Sequence, residues 1–399
     1  MLQKLLVFLH RLFPGRSILD PRSDSGVVPR LRVCLIATHF AEYSNLLAQA
    51  IARSADVMVV ANRENVEMEL GREFDARNQF QRVLLVHQTK NPFSLLLQAF
   101  RLAQAVRRFA PDIIHVQEDS KDVFAIALHL MPVCPVVLTM HDPKPHAGAD
   151  TVARQKTRRG FYIAQLRRRA DAVIVHGMSL VADAEEAIGQ RPVTVHVIPH
   201  GPLGQIPAER VALPTERGRC LFFGRMEAYK GLDIFIDVIE RLHSSNRAVR
   251  GVVAGRGSSL DALRGVLEGD ERFEVIDRFL SPEEALQEFQ RAEVVVMPYR
   301  EATQSGIAAF AMGVGRPVVG FDVGAVRESV EHGETGLLVA SGDVDALTTA
   351  VSEVLNDATL RHRLGRAAHA RGKRKFAWDE IGNLHFDVYQ SLLRGDIHR

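Results

Sequence analysis

The sequence predicts an α/β protein built from two Rossmann-like domains, each with a parallel sheet, whose sheets face a central cleft. Two observations predict this fold class. Short runs rich in Val and Ile alternate with segments of helical periodicity, which is typical of βαβ units and a parallel sheet. The chain has 399 residues, too many for one ordinary core and suited to two domains of roughly 150–200 residues.

The first series of apolar runs indicates an N-terminal domain over residues 31–200. Because each run is short and is followed by a helical pattern, we predict seven strands. They are Leu31–Ala37, Asp56–Ala61, Arg82–His87, Asp112–Val116, Pro135–Met140, Asp171–His176 and Thr194–Pro199.

Residues 1–30 precede this domain as a leader that begins with an apolar stretch carrying a few basic residues. No small-residue cleavage site follows it before Pro14, so we expect no signal peptide. A short amphipathic helix in the membrane interface, a helix packed on the first domain and a frayed leader all fit this composition.

The second series indicates a C-terminal domain over residues 201–375, after a linker rich in Gly and Pro. Within it, Leu232, Phe235, Ile236 and Ile239 follow the spacing of one helix face. An amphipathic helix is predicted over residues 376–399. The predicted strands are Arg219–Gly224, Val249–Gly255, Phe273–Asp277, Glu293–Met297, Pro317–Phe321 and Gly336–Ala340.

Composition excludes several classes of protein. With 46% hydrophobic and 25% charged residues the chain is neither disordered nor fibrous. It also has no run of ~18–20 apolar residues that could cross a bilayer. Cys34, Cys134 and Cys220 lie far apart in apolar runs without metal-ligand spacing, so we expect buried thiols in a reducing compartment.

The segment from Leu221 to Gly231 holds the strongest local motif. A predicted buried strand ends at Gly224, and Arg225 and Lys230 follow it before a helix. Two cations at the carboxyl end of a strand can neutralise a diphosphate, and do so more strongly as a leaving group gains charge. Surface cations that flank a turn are the alternative interpretation of this motif alone.

A second motif follows the strand that ends at Met297. Its polar loop leads to Ser305 and Gly306, where a helix of small residues begins. Free amides at a helix start form a phosphate cradle, and glycine lets the backbone approach closely. A further glycine-bearing loop follows Pro317–Phe321 and leads to Glu328.

In their order, these motifs resemble the retaining family-4 glycosyltransferases of GT-B fold. The resemblance is most specific in the second half and looser in the first, and it extends from about residue 31 over nearly the whole chain. It is carried by Gly-Arg-x(4)-Lys-Gly at 224–231, the glycine-rich segment at 252–257, the strand that ends at Pro298, Gly-x-Pro-Val-Val at 315–319, Glu328 before Gly333, and the segments at 112–115, 138–142 and 197–201.

The resemblance implies a role for each matching residue. Arg225 and Lys230 are implied to bind the donor diphosphate, and His141 to lie beside the transferred sugar, which makes these three the implied catalytic residues. The donor-binding residues are expected to be Gly224, Arg225, Lys230, Gly255, Glu301, Gln304, Ser305, Gly306, Ile307 and Glu328.

The implied reaction moves a hexosyl unit from a UDP- or GDP-sugar to an acceptor hydroxyl with retention of configuration, without metal or cofactor. The N-terminal domain is then the acceptor domain, and the C-terminal domain is the donor domain. The resemblance also implies that the helix at 376–399 packs back on the N-terminal domain. We expect a sugar or lipid-linked acceptor, a role in bacterial surface-polysaccharide, cell-wall or glycolipid synthesis, and a cytoplasmic protein with peripheral contact at the inner face of the membrane.

The sequence departs from the family pattern at two places. The family usually has two glutamates eight positions apart, which fall here on Ala302 and Phe310. Because phenylalanine cannot accept hydrogen bonds from ribose hydroxyls, Glu301 or Glu328 is expected to hold the ribose, or donor binding is weaker. The family also often has a Gly-Gly turn after the first strand, where this chain has Thr38-His39-Phe40-Ala41.

Other polar residues are weaker candidates. His146, Glu118 and Asp119 follow first-domain strands and have capping or packing as the simpler interpretation. The basic residues Arg154, Lys156, Arg158, Arg159, Arg167, Arg168 and Arg169 suit contact with anionic lipid or a lipid-linked diphosphate, or form a solvated helix face. With few aromatic residues and no recognition module, nucleic-acid binding is not expected.

Two competing hypotheses remain at this level. A nucleotide-sugar epimerase or phosphorylase of the same fold would share the diphosphate site, although these motifs match it less well. A degenerate GT-B subunit that acts by binding a partner would explain Phe310 and the absent Gly-Gly turn, although the retention of both Arg225 and Lys230 argues against it.

Overall fold

A computed structural model of the chain describes residues 30–71, 74, 80, 82–87, 89, 91–118, 122–144, 158–203, 215–246, 248–302 and 306–395. Residues 1–29 of the predicted leader and residues 204–214 of the predicted linker lie outside the described residues. Contacts divide the chain into two units. The first unit comprises Met1–Val175, Val181–His196 and Gly382–Arg399, and the second comprises His176–Leu180 and Val197–Ile381.

The first sheet has seven strands in the order β3-β2-β1-β4-β5-β6-β7. Neighbouring strands from β3 to β6 pair in parallel. The strands are β1 (Leu31–Ala37), β2 (Ala55–Asn62), β3 (Arg82–Val86), β4 (Ile113–Gln117), β5 (Val136–Thr139), β6 (Ala172–Val175) and β7 (Thr194–Val197).

Described helices connect these strands, as expected for βαβ units. They are α1 (Ala41–Ile51), α2 (Arg63–Glu69), α3 (Pro92–Phe109), α4 (Asp122–Leu128), α5 (Arg158–Arg169) and α6 (Val181–Ile188). The central strands β4, β5 and β6 are buried along their whole length, whereas the edge strand β7 is more exposed.

The second sheet has six parallel strands in the order β10-β9-β8-β11-β12-β13. Its strands are β8 (Arg219–Phe223), β9 (Arg250–Ala254), β10 (Phe273–Ile276), β11 (Val294–Met297), β12 (Val318–Phe321) and β13 (Gly336–Val339). The helices are α7 (Leu232–Ser245), α8 (Ser258–Leu267), α9 (Pro282–Arg291), α10 (Gly306–Gly313), α11 (Gly324–Ser329), α12 (Val344–Asn356), α13 (Ala358–Lys375) and α14 (Trp378–Arg394).

The predicted fold class is confirmed, and all thirteen predicted strands are present within two residues of their predicted ends. Six strands begin one residue later than predicted. In two of them, β5 and β12, the predicted first residue is Pro135 or Pro317, which has no amide N–H to donate. The carbonyls of both prolines still accept hydrogen bonds from the neighbouring strands, at 3.0 Å each.

Helix α7 shows how the sequence pattern becomes packing. Leu232, Phe235, Ile236 and Ile239 are all buried in the core of the second unit, because this spacing places them on one face of the helix. Among the described helices, none has both the length and the apolar composition that crossing a membrane requires.

The cysteines are free thiols, as expected. Cys34 and Cys220 are buried, and burial raises the pKa of each thiol. The expectation of burial is wrong for Cys134, which is half-buried because it lies in the loop before β5 rather than in the strand. Desolvation still raises the pKa of Cys134 to about 11, so all three thiols stay protonated near neutral pH.

Candidate active site

The loops that follow β8 and β9 approach each other through two glycines. Gly224 and Gly255 have φ angles of 113° and 137°, and the Gly224 amide donates to the Ala254 carbonyl at 2.9 Å. A Cβ atom at Gly255 would lie 1.9 Å from the Gly224 carbonyl oxygen. Only glycine therefore allows this contact, which fixes the start of the loop that carries Arg225 and Lys230.

Lys230 turns its ammonium group back onto Gly224. It ends the 3-10 turn Ala228–Lys230, and only 7% of the residue is exposed. A Cβ atom at Gly224 would lie 2.6 Å from the Lys230 Nζ, so the missing side chain leaves room for the ammonium. The following Gly231 adopts φ 74°, and a Cβ there would lie 2.2 Å from the Pro298 carbonyl oxygen.

Arg225 and Lys230 are close enough to influence each other electrostatically. Burial and the neighbouring positive charge of Arg225 lower the pKa of Lys230 to about 7, although Glu227 acts in the opposite direction. Among the described residues, no carboxylate lies within 4.0 Å of the Lys230 ammonium. Arg225 itself is exposed. The structure thus brings the two predicted cations together, one buried and one at the surface.

The loop after β11 is tied to this turn by Arg300. Its main-chain amide donates to the Tyr229 carbonyl at 2.7 Å. Its guanidinium donates to the Ala228 carbonyl at 2.9 Å and pairs with Asp233 at 2.6 Å. Sequence reasoning missed Arg300, for which the only signal was its position directly before Glu301. Its contacts hold the loop after β11 against the loop after β8.

The start of α10 lies close to Gly224 and Lys230. The Ile307 Cδ1 would lie 3.5 Å from a Cβ atom at Gly224, so Gly224, Lys230 and Ile307 converge. A Cβ atom at Gly306 would lie 3.2 Å from the His200 ring. The amides of a first helical turn have no partner within the helix. Two other predicted donor residues, Gln304 and Ser305, lie outside the described residues.

His200 is a neutral residue in this region. Burial and the nearby His176 lower the pKa of His200 to about 3, and its Nδ1 hydrogen-bonds the Gly201 carbonyl at 2.6 Å. It therefore adds no positive charge beside Gly306 at neutral pH.

The two candidate ribose ligands have different environments. The Glu328 carboxylate accepts hydrogen bonds from the main-chain amides of Met178 and Ser179, at 2.6 and 2.7 Å. Glu328 thus already holds the 3-10 turn at Met178–Leu180. Glu301 is exposed in the loop after β11, which makes its carboxylate the more accessible of the two.

Phe310 lies in the core rather than along a loop. Only 3% of it is exposed, and its ring packs edge-on against Phe289 with centroids 4.7 Å apart. The position where the family pattern has its second glutamate is therefore used here for apolar packing. A polar side chain at this place in the core would need a hydrogen-bond partner.

The third predicted catalytic residue, His141, belongs to the first unit. It follows β5 and is 2% exposed. Its Nε2 hydrogen-bonds the Gln117 Oε1 at 2.8 Å, and its ring stacks on Phe40 with centroids 3.9 Å apart. Sequence reasoning missed Gln117, although a polar residue at the end of an apolar strand was the available signal.

The turn after β1 keeps a glycine-like backbone without glycine. Phe40 adopts φ 60° and ψ 46°, in the left-handed region, where it precedes α1. This conformation costs an L-residue roughly 1–2 kcal/mol. The absent Gly-Gly turn has thus not removed the turn geometry, and the Phe40 side chain lies against His141.

Of the weaker candidates, the structure describes Glu118 and leaves several others outside the described residues. Glu118 forms a two-point ion pair with Arg167, at 2.6 and 2.9 Å, and its side chain is 8% exposed, which favours a structural role. Asp119, His146, Arg154 and Lys156 lie outside the described residues.

The two halves of the chain match two families of known proteins. Residues 37–201 match the family described as Glycosyltransferase Family 4, and residues 217–357 match the family described as Glycosyl transferases group 1. Among curated proteins, the glycogen synthase of Mycobacterium tuberculosis is 28% identical over 301 residues, which cover 73% of this chain and 71% of the synthase.

Solved structures resemble the chain over most of its length. Sucrose-phosphate synthase from Thermosynechococcus elongatus has a TM-score of 0.70 at 18% identity, covering 92% of this chain and 100% of that one. The HepE protein of Anabaena, solved with UDP and glucose, has a TM-score of 0.67 at 16% identity, covering 91% and 100%. At these identities the likeness shows a shared fold.

Proposed function

We propose that this chain, which belongs to the glycosyltransferases of GT-B fold, transfers a hexosyl unit from a nucleoside-diphosphate sugar to an acceptor hydroxyl with retention of configuration. Arg225 and Lys230 bind the diphosphate in this proposal, and the amides of Gly306 and Ile307 donate to it. His141 contacts the transferred sugar. The retained configuration and the His141 contact rest on the resemblance of the motifs to family 4.

The buried Lys230 carries the proposal. A lysine that is 7% exposed, beside a second cation and with no carboxylate within 4.0 Å among the described residues, is costly for the fold alone. A bound diphosphate would supply the missing negative charge. The same charges would stabilise the diphosphate as it leaves the anomeric carbon, when its negative charge increases.

One feature supports a UDP-sugar donor, and a second feature favours one of the two candidates for the ribose contact. The HepE protein, which shares the fold, was solved with UDP and glucose. Glu301 is exposed after β11, whereas Glu328 already accepts two main-chain hydrogen bonds. We therefore assign the ribose contact to Glu301, with a GDP-sugar as the alternative donor. The proposed chemistry uses these cations in place of a metal or cofactor.

The donor assignment is tested by thermal unfolding with a panel of UDP-, GDP- and ADP-sugars. A ligand at a hundredfold excess over its Kd should raise the unfolding free energy by about 2.7 kcal/mol. Arg225→Ala should abolish that shift, whereas Arg366→Ala, at an exposed position on α13, should retain it. A shift that survives Arg225→Ala would refute the proposed donor site.

A partner-binding GT-B subunit is the second candidate function. It is favoured by one observation, the burial of Phe310 where the family pattern has a ribose-binding glutamate. The same panel separates the two candidates, because a subunit without a donor site should show no thermal shift with any nucleotide sugar. Release of UDP or GDP in the presence of acceptor would exclude this candidate.

We further propose a lipid-linked acceptor and peripheral contact with anionic lipid, in the synthesis of a surface polysaccharide or glycolipid. Helix α3 exposes Phe93, Leu97 and Phe100, by 82%, 49% and 42%, at the spacing of one helix face. Helices α3 and α5 also contain arginines and no acidic residue. Apolar and basic groups together favour the interface of an anionic bilayer.

Co-sedimentation with vesicles of anionic and of neutral lipid tests this contact. Replacing Phe93, Leu97 and Phe100 by serine should reduce binding to anionic vesicles. Serine at Val266 and Phe279, apolar residues of the second unit that are exposed by 50% and 54%, serves as the control. Equal binding by both variants would refute contact through α3.

A further inference from the structure

A chain of buried polar side chains links helix α14 to His141 within the first unit. The Tyr389 hydroxyl lies 2.6 Å from the Nδ1 of His115. The Nε2 of His115 lies 2.8 Å from the Thr139 hydroxyl and 3.4 Å from the amide nitrogen of Gln117. The oxygen of the same amide lies 2.8 Å from the Nε2 of His141. All five residues are at most 2% exposed.

In the orientation that the structure shows, the chemistry of the Gln117 amide fixes where the ring protons lie. Its nitrogen only donates, so the Nε2 of His115 must be an acceptor and its Nδ1 carries the proton that is donated to Tyr389. Its oxygen only accepts, so the Nε2 of His141 carries a proton and the Nδ1 of the neutral ring is an acceptor. Burial also raises the pKa of Tyr389, which keeps its hydroxyl protonated.

The opposite arrangement is also internally consistent. If the Gln117 amide were rotated, its nitrogen would face His141 and its oxygen would face His115, and both rings would exchange tautomers. The Tyr389 hydroxyl can donate or accept, so it fits both arrangements. The arrangement in which the Gln117 oxygen faces His141 needs it as the acceptor of the His115 Nδ1 proton.

We propose that Gln117 is a positioning residue that holds His141 in the Nε2–H tautomer, and that Tyr389 supports this orientation of Gln117 by accepting the Nδ1 proton of His115. The inference rests on the proposed role of His141 at the transferred sugar. It extends that role by naming the residues that determine which ring nitrogen of His141 donates and which accepts. A ligating histidine ring is oriented in a comparable way by the partner of its second nitrogen.

The test is the protonation of each ring nitrogen, measured by 15N–1H NMR on histidine-labelled full-length protein. The chain has 16 histidines, and the His141 signals are assigned by their loss in His141→Gln. We expect a single Nε2–H tautomer in the unaltered protein and comparable amounts of both tautomers in Gln117→Leu. Gln117→Glu, which keeps an accepting oxygen, should restore the Nε2–H form.

Tyr389→Phe tests the far end of the chain with a smaller change. Loss of the hydroxyl should give mixed tautomers at both His115 and His141, whereas Tyr162→Phe on α5 should change neither. An Nδ1–H tautomer of His141 in the unaltered protein, or an unchanged tautomer in either Gln117→Leu or Tyr389→Phe, would overturn the proposal. Because NMR requires no turnover, this result stays readable even if no nucleotide sugar proves to be a donor.

Discussion

The ring of Phe40 stacks on the imidazole of His141, with centroids 3.9 Å apart and an angle of 21° between the rings. Phe40 makes this contact from a left-handed backbone conformation, with φ 60°. Glycine adopts that conformation without steric cost, whereas a side chain does not. The favourable stacking therefore offsets backbone strain at a position where the resembling family often has glycine.

Because ring stacking and backbone strain oppose each other at Phe40, the glycine variant should be more stable than the alanine variant. Both Phe40→Ala and Phe40→Gly lose the ring contact, but only glycine also removes the left-handed strain. We expect Phe40→Gly to be more stable than Phe40→Ala by about 1 kcal/mol, measured from urea unfolding midpoints. At Glu67, an exposed position in α2, the order should reverse, since alanine is the better helix former. The same order at both positions would contradict strain at Phe40.

The fold was predictable because its signal is local. Each strand is an apolar run of four to eight residues bounded by turn formers, and parallel strands place successive loops at one edge of the sheet. This is why Gly224, Lys230 and Ile307, chosen from two separate motifs, converge in the structure. Their roles in binding and catalysis remain predictions.

The polar support of His141 was not predictable in the same way. His115 and Tyr389 are 274 positions apart, and no local pattern indicates that the last helix places a hydroxyl against the fourth strand. The environment of Phe310 was hidden for a related reason. A single apolar residue in a helix of small residues does not show whether it faces a ligand loop or Phe289, which lies on another helix.

Removing the buried cation should separate stability from ligand binding. Lys230→Met replaces a charge that is desolvated and lies beside Arg225 with an apolar side chain of similar length. We expect the free protein to become more stable by about 1–2 kcal/mol, while thermal stabilisation by UDP-sugar is lost. Arg366→Met, at an exposed position, should change neither quantity. A destabilised Lys230→Met variant that still responds to UDP-sugar would show that Lys230 is a structural residue.

Donor binding should weaken as the pH rises above neutrality. In the free protein the pKa of Lys230 is lowered from 10.5 to about 7, so above pH 7 Lys230 must take up a proton when the diphosphate binds. The apparent affinity should fall by up to about tenfold per pH unit until the pH reaches the pKa that Lys230 has in the complex. Calorimetric titration of UDP-glucose at pH 7 and pH 9 measures this change, and the titration is repeated in buffers of different ionisation enthalpy to count the protons.

Stability without ligand should change in the opposite direction. Between pH 7 and 10.5 the unfolded chain holds a proton on Lys230 that the folded chain lacks, so this residue makes the unfolding free energy rise with pH. Urea unfolding of the free protein at both pH values, compared with Lys230→Met, isolates the contribution. If the unaltered protein and this variant show the same pH dependence of stability, or if the unaltered protein binds UDP-glucose equally well at pH 7 and pH 9, the lowered pKa of Lys230 is refuted.

A paired glycine substitution tests whether the space at Gly224 serves Lys230. Gly224 and Gly342 have φ angles of 113° and 82°, so alanine introduces backbone strain at both positions. A Cβ atom at Gly224 would lie 2.6 Å from the Lys230 Nζ, whereas one at Gly342 would meet nothing within 4 Å. We expect both variants to lose about 1 kcal/mol of stability, but only Gly224→Ala to lose affinity for UDP-sugar, because its methyl group displaces the ammonium. Equal affinities in calorimetric titration would mean that the Lys230 ammonium does not bind the donor from its position against Gly224.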